Sequence, residues 1–268
     1  MISVESAILK TRRDLALGTA VKVLLIAAGV VAIISPSILE NAPMAASALM
    51  IAVVATWVVL SVRSIRGSRV AADSPSLIAA GRYELAEQHL AEAIGSFSII
   101  RSAKLMCLHH LALSRHAQSR WQESATLCRA LLTQGWSNAS GFDRSSRLIL
   151  SESLLELGDL AGVHDNLSRL YSQRLSLREA LHLLVIQLDY LSRIGSWQQM
   201  LINLKTKIEL AELLPQGSSA RAQALLGLAA KKSGMADWSD WLRRRVELLA
   251  DVQKLCTDRP ILWELWRP

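Results

Sequence analysis

The chain has 268 residues, a net charge of +7, and 51% hydrophobic against 20% charged residues. That length suits one solenoid or one to two ordinary domains. Its three cysteines, Cys107, Cys128 and Cys256, include no C-x-x-C pair, which argues against a disulfide scaffold and suits a reducing compartment. Residues 1–70 hold seven Lys/Arg and three Asp/Glu, and the remaining positive charge is spread too thinly for a nucleic-acid surface.

The apolar excess is local. Residues 1–14 are mixed, with Lys10, Arg12 and Arg13, and Leu15 to Leu39 is almost wholly apolar. A helix from about Leu15 to Ile34 is long enough to span a bilayer. Lys22 lies near its start, where the aliphatic stem lets the ammonium snorkel to the interface. Pro36 ends the run, because it lacks an N–H and its ring clashes one turn back. Glu40-Asn41-Ala42-Pro43 reads as a short turn. Met44 to Val62 is a second span without charge, with Trp57 near an interface, and Arg63, Arg66 and Arg69 follow.

Residues 1–66 therefore predict a transmembrane helical hairpin with spans at about 15–34 and 44–62. Lys and Arg flank the outer ends, and the loop holds only Glu40, so both termini are expected in the cytoplasm. A cleaved signal peptide fits less well: small residues near Ala42 and Ala45 follow an overlong apolar run, and the second span stays unexplained. Small residues such as Ala27, Ala28, Gly29, Ala48 and Ala52 permit close approach between the spans or to a partner. Neither span holds Asp or Glu, which argues against a proton path.

Residues 67–75 read as a linker, with Asp73 or Ser74 available to cap a helix near Pro75. Beyond it, a small residue recurs at positions 81, 119, 158, 195 and 234, at intervals of 38, 39, 37 and 39. The local patterns are Gly81-Arg82-Tyr83, Ser119-Arg120-Trp121, Gly158-Asp159-Leu160, Gly195-Ser196-Trp197 and Gly234-Met235-Ala236. Each separates two runs with helical apolar periodicity. The spacing fits two helices and two turns, so residues 76–257 predict helical hairpins stacked in an all-α solenoid.

Five positions after the small residue lie Ala86, Ser124, Val163 and Met200, read as the close helix crossing. Helices are expected over Ser102–Ala117, Leu177–Ile194 and Trp197–Leu214. Gly135 is expected to end one helix, Asn138-Ala-Ser-Gly141 to be loop, and Pro215-Gln-Gly217-Ser218 to turn. Asp159 and Asp237 are expected to cap. Residues 258–268, with Ile261-Leu-Trp-Glu-Leu-Trp266, read as a terminal clasp or truncated repeat over the last hairpin.

These slots resemble the tetratricopeptide pattern, best in Gly81, Tyr83, Ala86, Leu90 and Ala93. The whole chain resembles, as a short member, the HemY family of bacterial inner-membrane proteins. The residues that carry this are Leu77-Ile-Ala-Ala-Gly-Arg-Tyr-Glu-Leu-Ala86, Tyr190-Leu-Ser-Arg-Ile-Gly-Ser-Trp197 and Asp258-Arg-Pro-Ile-Leu-Trp263. The resemblance implies a two-span anchor in the bacterial inner (cytoplasmic) membrane and a cytoplasmic repeat domain. It also implies an association with late protohaem synthesis, with no catalytic residue attached. The implied partners are late haem-pathway enzymes and bilayer lipids.

Projecting the tetratricopeptide register places His109, His116, Glu152, His182, Asp189, Arg221 and Lys231 on the inward face, as a mixed-charge groove for a protein partner. His109 and His116 share a helix face but stand about 10.5 Å apart by helix rise, too far to share one small ion. With His89, His110 and Cys107 nearby, direct haem or porphyrin binding is an alternative; an envelope assembly scaffold unrelated to haem is another. No H-E-x-x-H, Walker A or G-x-S-x-G pattern occurs, so no catalytic residue, cofactor or metal ligand is assigned and a non-enzymatic scaffold is expected.

Overall fold

The computed structural model describes residues 2–34, 43–133 and 142–267. The fold is all-α with repeated helix-pair packing. The described chain forms two compact units, Met1–Ile149 and Leu150–Pro268. Pro36, most of the expected Glu40–Pro43 turn, Gly135 and the Asn138–Gly141 loop lie outside the described residues.

In the first unit, α1 (Val4–Ile34) and α2 (Pro43–Ala72) are long helices. Two helices here are long and apolar enough to cross a membrane, within Val4–Val31 and Met50–Ala79. Most of that apolar surface is open: Val23, Leu24, Ile26, Ile51, Val54, Val58 and Val59 are all exposed. A core helix of a water-soluble domain would bury them.

Both long helices also pack on the pairs that follow, α3 (Ser74–Ala79) with α4 (Tyr83–Gly95), and α5 (Arg101–Ala117) with α6 (Trp121–Thr133). On α1 the buried face is Ala7, Thr11 and Asp14, with Gly18 directly beyond. A Cβ at Gly18 would sit 3.4 Å from the Ser98 carbonyl oxygen. On α2 the corresponding face is Ser64, Gly67 and Ala71. Ser64 Oγ donates to Leu60 O at 2.7 Å and accepts from Ile99 N–H at 3.0 Å. Spacing of three to four residues and small side chains let each helix lie close against the segment joining α4 to α5. The expected linker over 67–75 is thus helical except at Asp73. Asp73 makes no side-chain cap.

Two buried ion pairs fix this packing. Lys104 Nζ lies 2.8 Å from Asp14 Oδ2, with the side chains 1% and 4% exposed. The same ammonium donates to the carbonyls of Ile94 at 2.8 Å, Ala93 at 3.3 Å and Ser96. Those carbonyls lie at the end of α4, where no following helical turn supplies backbone N–H donors, though Ala93 O also accepts from Ser96 Oγ at 3.0 Å; a cation there answers both these acceptors and the helix dipole. Arg115 on α5 pairs with Glu87 on α4 at 2.5 Å and donates to Ile2 O at 3.3 Å.

The second unit follows the same scheme. It contains the second half of α7 (Phe142–Leu157), then α8 (Leu160–Tyr171), α9 (Leu177–Arg193), α10 (Trp197–Leu201) and α11 (Leu204–Glu212). α12 (Gln216–Lys232) and α13 (Ala236–Leu249) are its most extensively packed pair. α14 (Val252–Asp258), a 3-10 turn at Pro260–Leu262 and α15 (Trp263–Trp266) close the chain. Leu262 and Leu265 are buried in the same apolar cluster as Leu225, Leu228 and Leu242, so the terminal segment packs against α12.

The expected helix over Trp197–Leu214 is broken at Ile202–Asn203, where Asn203 is left-handed with φ 56°. Asparagine tolerates that conformation better than most residues. Lys207 Nζ takes up the freed carbonyls of Gln199 and Met200 at 3.1 and 2.9 Å. The expected turn over Pro215–Ser218 is shorter, because α12 already begins at Gln216. Asp159 caps α8, accepting from Gly162 N–H at 2.9 Å. Asp237 lies inside the first turn of α13 rather than at its cap.

All five small residues adopt the left-handed conformation: Gly81 φ 72°, Ser119 φ 59°, Gly158 φ 77°, Gly195 φ 72° and Gly234 φ 76°. Each N–H bonds the carbonyl three residues back, and the next N–H bonds the carbonyl five back. Examples are Gly158 N to Leu155 O with Asp159 N to Leu154 O, and Ser119 N to His116 O with Arg120 N to Arg115 O. This is the Schellman arrangement, which closes one helix and aims the chain into the next. Ala86, Ser124, Val163 and Met200, five residues after the turn, are each fully buried.

Ser119 is the one non-glycine in this set. Ser119→Gly should raise stability by about 0.5 kcal/mol, and Gly158→Ala, whose added methyl meets open space, should lower it by about 1 kcal/mol through backbone strain alone. Lys104→Met leaves Asp14 as a buried unpaired carboxylate and should lower stability by about 3 kcal/mol or more. Thermal unfolding of the full chain in detergent reads all three.

Candidate functional site

The second unit carries a dense charged cluster. Asp189, on the buried side of α9, is 2% exposed and faces three arginines. Arg221 of α12 pairs with it directly, Arg259 lies 3.5 Å away, and Arg193, one turn along α9, 3.7 Å away. Glu156 of α7 is the second carboxylate, pairing with Arg259 and, at 3.4 Å, with Arg193. Three guanidiniums against two carboxylates leave one positive charge in excess. Planar guanidinium suits this sharing, because its fixed fork of donors engages several oxygens at once.

One step along the same helices, His182 Nε2 lies 3.1 Å from Glu152 Oε1, and both remain partly exposed. Of the residues expected in a groove, Glu152, His182, Asp189 and Arg221 are thus brought onto one face formed by α7, α9 and α12. Asp189 and Arg221 are spent on each other within the network. Lys231, also on α12, instead holds the terminal segment, donating to Glu264 O at 3.1 Å and to Arg267 O.

His109 does not line a groove. It is buried, its Nδ1 is 3.0 Å from Ser146 Oγ and its Nε2 is 3.3 Å from Ser145 Oγ, and its ring stands edge-on to Phe142 at 5.3 Å. The cause is packing: His109 lies on the α5 face that meets α7, between two hydroxyls that satisfy it. His116 is partly buried with its ring edge-on to Trp121 at 4.9 Å. It therefore supports the turn at Ser119.

The arginines at 193 and 259 and Glu156 were not expected as a cluster. Arg193 could have been found, since it sits four residues after Asp189 on one helix face. Arg259 could not, because it reaches Glu156 across a separation of 103 residues.

Burial and the neighbouring His110 push the His109 pKa down to about 4, so this ring is neutral at pH 7. Burial raises the thiols of Cys107 and Cys128 to about 11 and about 12, so neither is a thiolate nucleophile or ligand near neutrality. Among the described residues no group of three or more His, Cys, Asp or Glu is arranged to hold a metal ion. No family model, no curated protein and no solved structure matches this chain.

The His109 shift makes a pH prediction. The folded pKa lies below the unfolded value near 6.5, so the unfolded state binds the proton first. Its contribution to stability is complete above pH 6.5 and is lost as pH falls from there toward about 4. His109→Gln should flatten that acid limb, read as melting temperature against pH from 4 to 7.5.

Proposed function

We propose that this chain is a non-enzymatic, membrane-anchored interaction scaffold. Its α1 and α2 cross a bacterial inner membrane from the cytoplasmic side and return, and its helix pairs form a tetratricopeptide-like array in the cytoplasm. The observation that carries this reading is the exposed apolar band on two helices that continue, unbroken, into the packed helix pairs. Gly18 and Ser64 meet the same short segment at Ser98–Ile99, which supports one common level for leaving the bilayer. From Pro43 to Arg63, α2 rises about 30 Å, the thickness of a hydrocarbon core. Arg63, Arg66 and Arg69 then fall on the cytoplasmic side, as the positive-inside tendency favours.

The protein-binding face is the one formed by α7, α9 and α12. Its buried network around Asp189 sets the spacing of these helices, and Glu152 and His182 remain accessible beside it. In keeping with the resemblance to the HemY family, the partners are enzymes of late protohaem synthesis. Direct haem ligation has less support, since His109 and His110 are buried, with ring nitrogens near Ser145, Ser146 and the Ala71 carbonyl.

Affinity isolation from detergent-solubilised membranes tests this reading. Late haem-pathway enzymes are expected with the wild type, with recovery reduced about threefold or more in Glu152→Gln/His182→Gln, a size set by one partly exposed polar pair. Recovery of envelope assembly machinery instead, or equal recovery with the variant, contradicts it.

A further inference from the structure

A groove of about 560 Å³ opens between α11 and α13, and none of the Asp189 network lines it. Its walls combine two indoles, Trp238 and Trp241, with three carboxylates, Glu209, Glu212 and Asp237, and one cation, Lys205. The indoles stand edge to face, with centroids 5.8 Å apart and planes at 82°. Trp241 is a large apolar side chain left exposed. This aromatic and acidic wall belongs to a protein of net charge +7, so its sign runs against that of the whole chain.

The chain itself shows what such a wall holds. Arg245 lies over Trp241, 4.9 Å from the ring centroid, and its Nη2 pairs with Glu212 at 2.6 Å. Its Nε also donates to Gln223 at 3.2 Å. A guanidinium is thus already seated on an indole face and a carboxylate together. With Glu212 so engaged, Glu209 and Asp237 leave the groove one negative charge in excess of Lys205. Indole faces attract cations through the ring quadrupole, and a planar guanidinium both stacks on an aromatic face and pairs with a carboxylate, which an ammonium does less well.

We propose that this groove is a docking site for an arginine-bearing segment of a partner protein, with the guanidinium entering beside Trp238 and Trp241 and pairing with Glu209 or Asp237. The inference rests on the interaction-scaffold reading only in taking the ligand to be a protein segment. It depends on neither the haem association nor the membrane topology.

The test uses the purified full chain in detergent and two synthetic probes. One is the blocked peptide Gly-Arg-Gly-Arg-Gly; the other carries citrulline, uncharged and nearly the same shape, in place of both arginines. Calorimetric titration is expected to show binding of the arginine peptide and at least fivefold weaker binding of the citrulline peptide. Glu209→Gln/Asp237→Asn should weaken the arginine peptide about fivefold, and Trp241→Leu about threefold, within the range for exposed ion pairs and cation–π contacts. Both carboxylates are exposed, so the double variant should stay folded and lose only the modest helix-dipole contribution of Asp237. Asp165→Asn, an exposed acid elsewhere in the same unit, should leave binding unchanged. The proposal is overturned if the arginine peptide does not bind, if the citrulline peptide binds equally, or if the double variant binds as the wild type does. It is also overturned if Asp165→Asn weakens binding as much, since the attraction would then be diffuse.

Discussion

One backbone conformation, placed five times, governs the helix pairs. A residue in the left-handed region ends a helix, its N–H and the next one close the last turn, and the following helix starts two positions later. Glycine meets that demand with little strain, and where serine replaces it at 119 the geometry is unchanged. Because the reversal is the same each time, the fifth residue after it falls at the crossing of the two helices, and there only a side chain that can be wholly buried fits. Ala86, Ser124, Val163 and Met200 differ in chemistry but share that burial. The repeat is therefore a repeat of geometry rather than of residues.

Charge inside the molecule has a complementary role. Lys104, Arg115 and Asp189 are each almost inaccessible, and each is paired. Buried pairs are not strong net stabilisers, since desolvation offsets much of the attraction. They do make misplacement expensive: a helix shifted by one turn would strand a charge. Lys104 joins α1 to the end of α4, and Arg115 joins α5 to both α4 and the N-terminal segment. The apolar helices are thus held to the first helix pairs by polar contacts that their own hydrophobic composition could not supply.

The sequence made legible what depends on local chemistry. The positions of the turns, the helices flanking them and the buried slot five residues on all follow from spacing. The two apolar helices follow from composition. What was not legible depended on distant partners. The helix over 67–72 looked like a linker because Gly67-Ser68-Arg69-Val70-Ala71-Ala72 has no apolar periodicity; Gly67 is where α2 comes close to Ser96. His109 looked like a groove residue because a register places a residue on a helix face but does not say whether another helix covers it. Asp189 and Arg221 pair with each other directly, but the network around them also draws in Glu156 and Arg259, separated in sequence by about a hundred residues. The break at Asn203 carries only the weak signal of one asparagine.

Nitroxide labels placed singly at Val54, Val58, Val62, Arg66 and Arg69, in the full chain reconstituted into lipid vesicles, test most directly whether α2 passes from bilayer to cytoplasm as one continuous helix. Collision with oxygen should dominate from Val54 to Val62, and collision with a water-soluble nickel chelate should take over by Arg66 and Arg69. Nickel access throughout Val54–Val62 would mean that the exposed apolar band is not in lipid, and the membrane anchor would have to be abandoned.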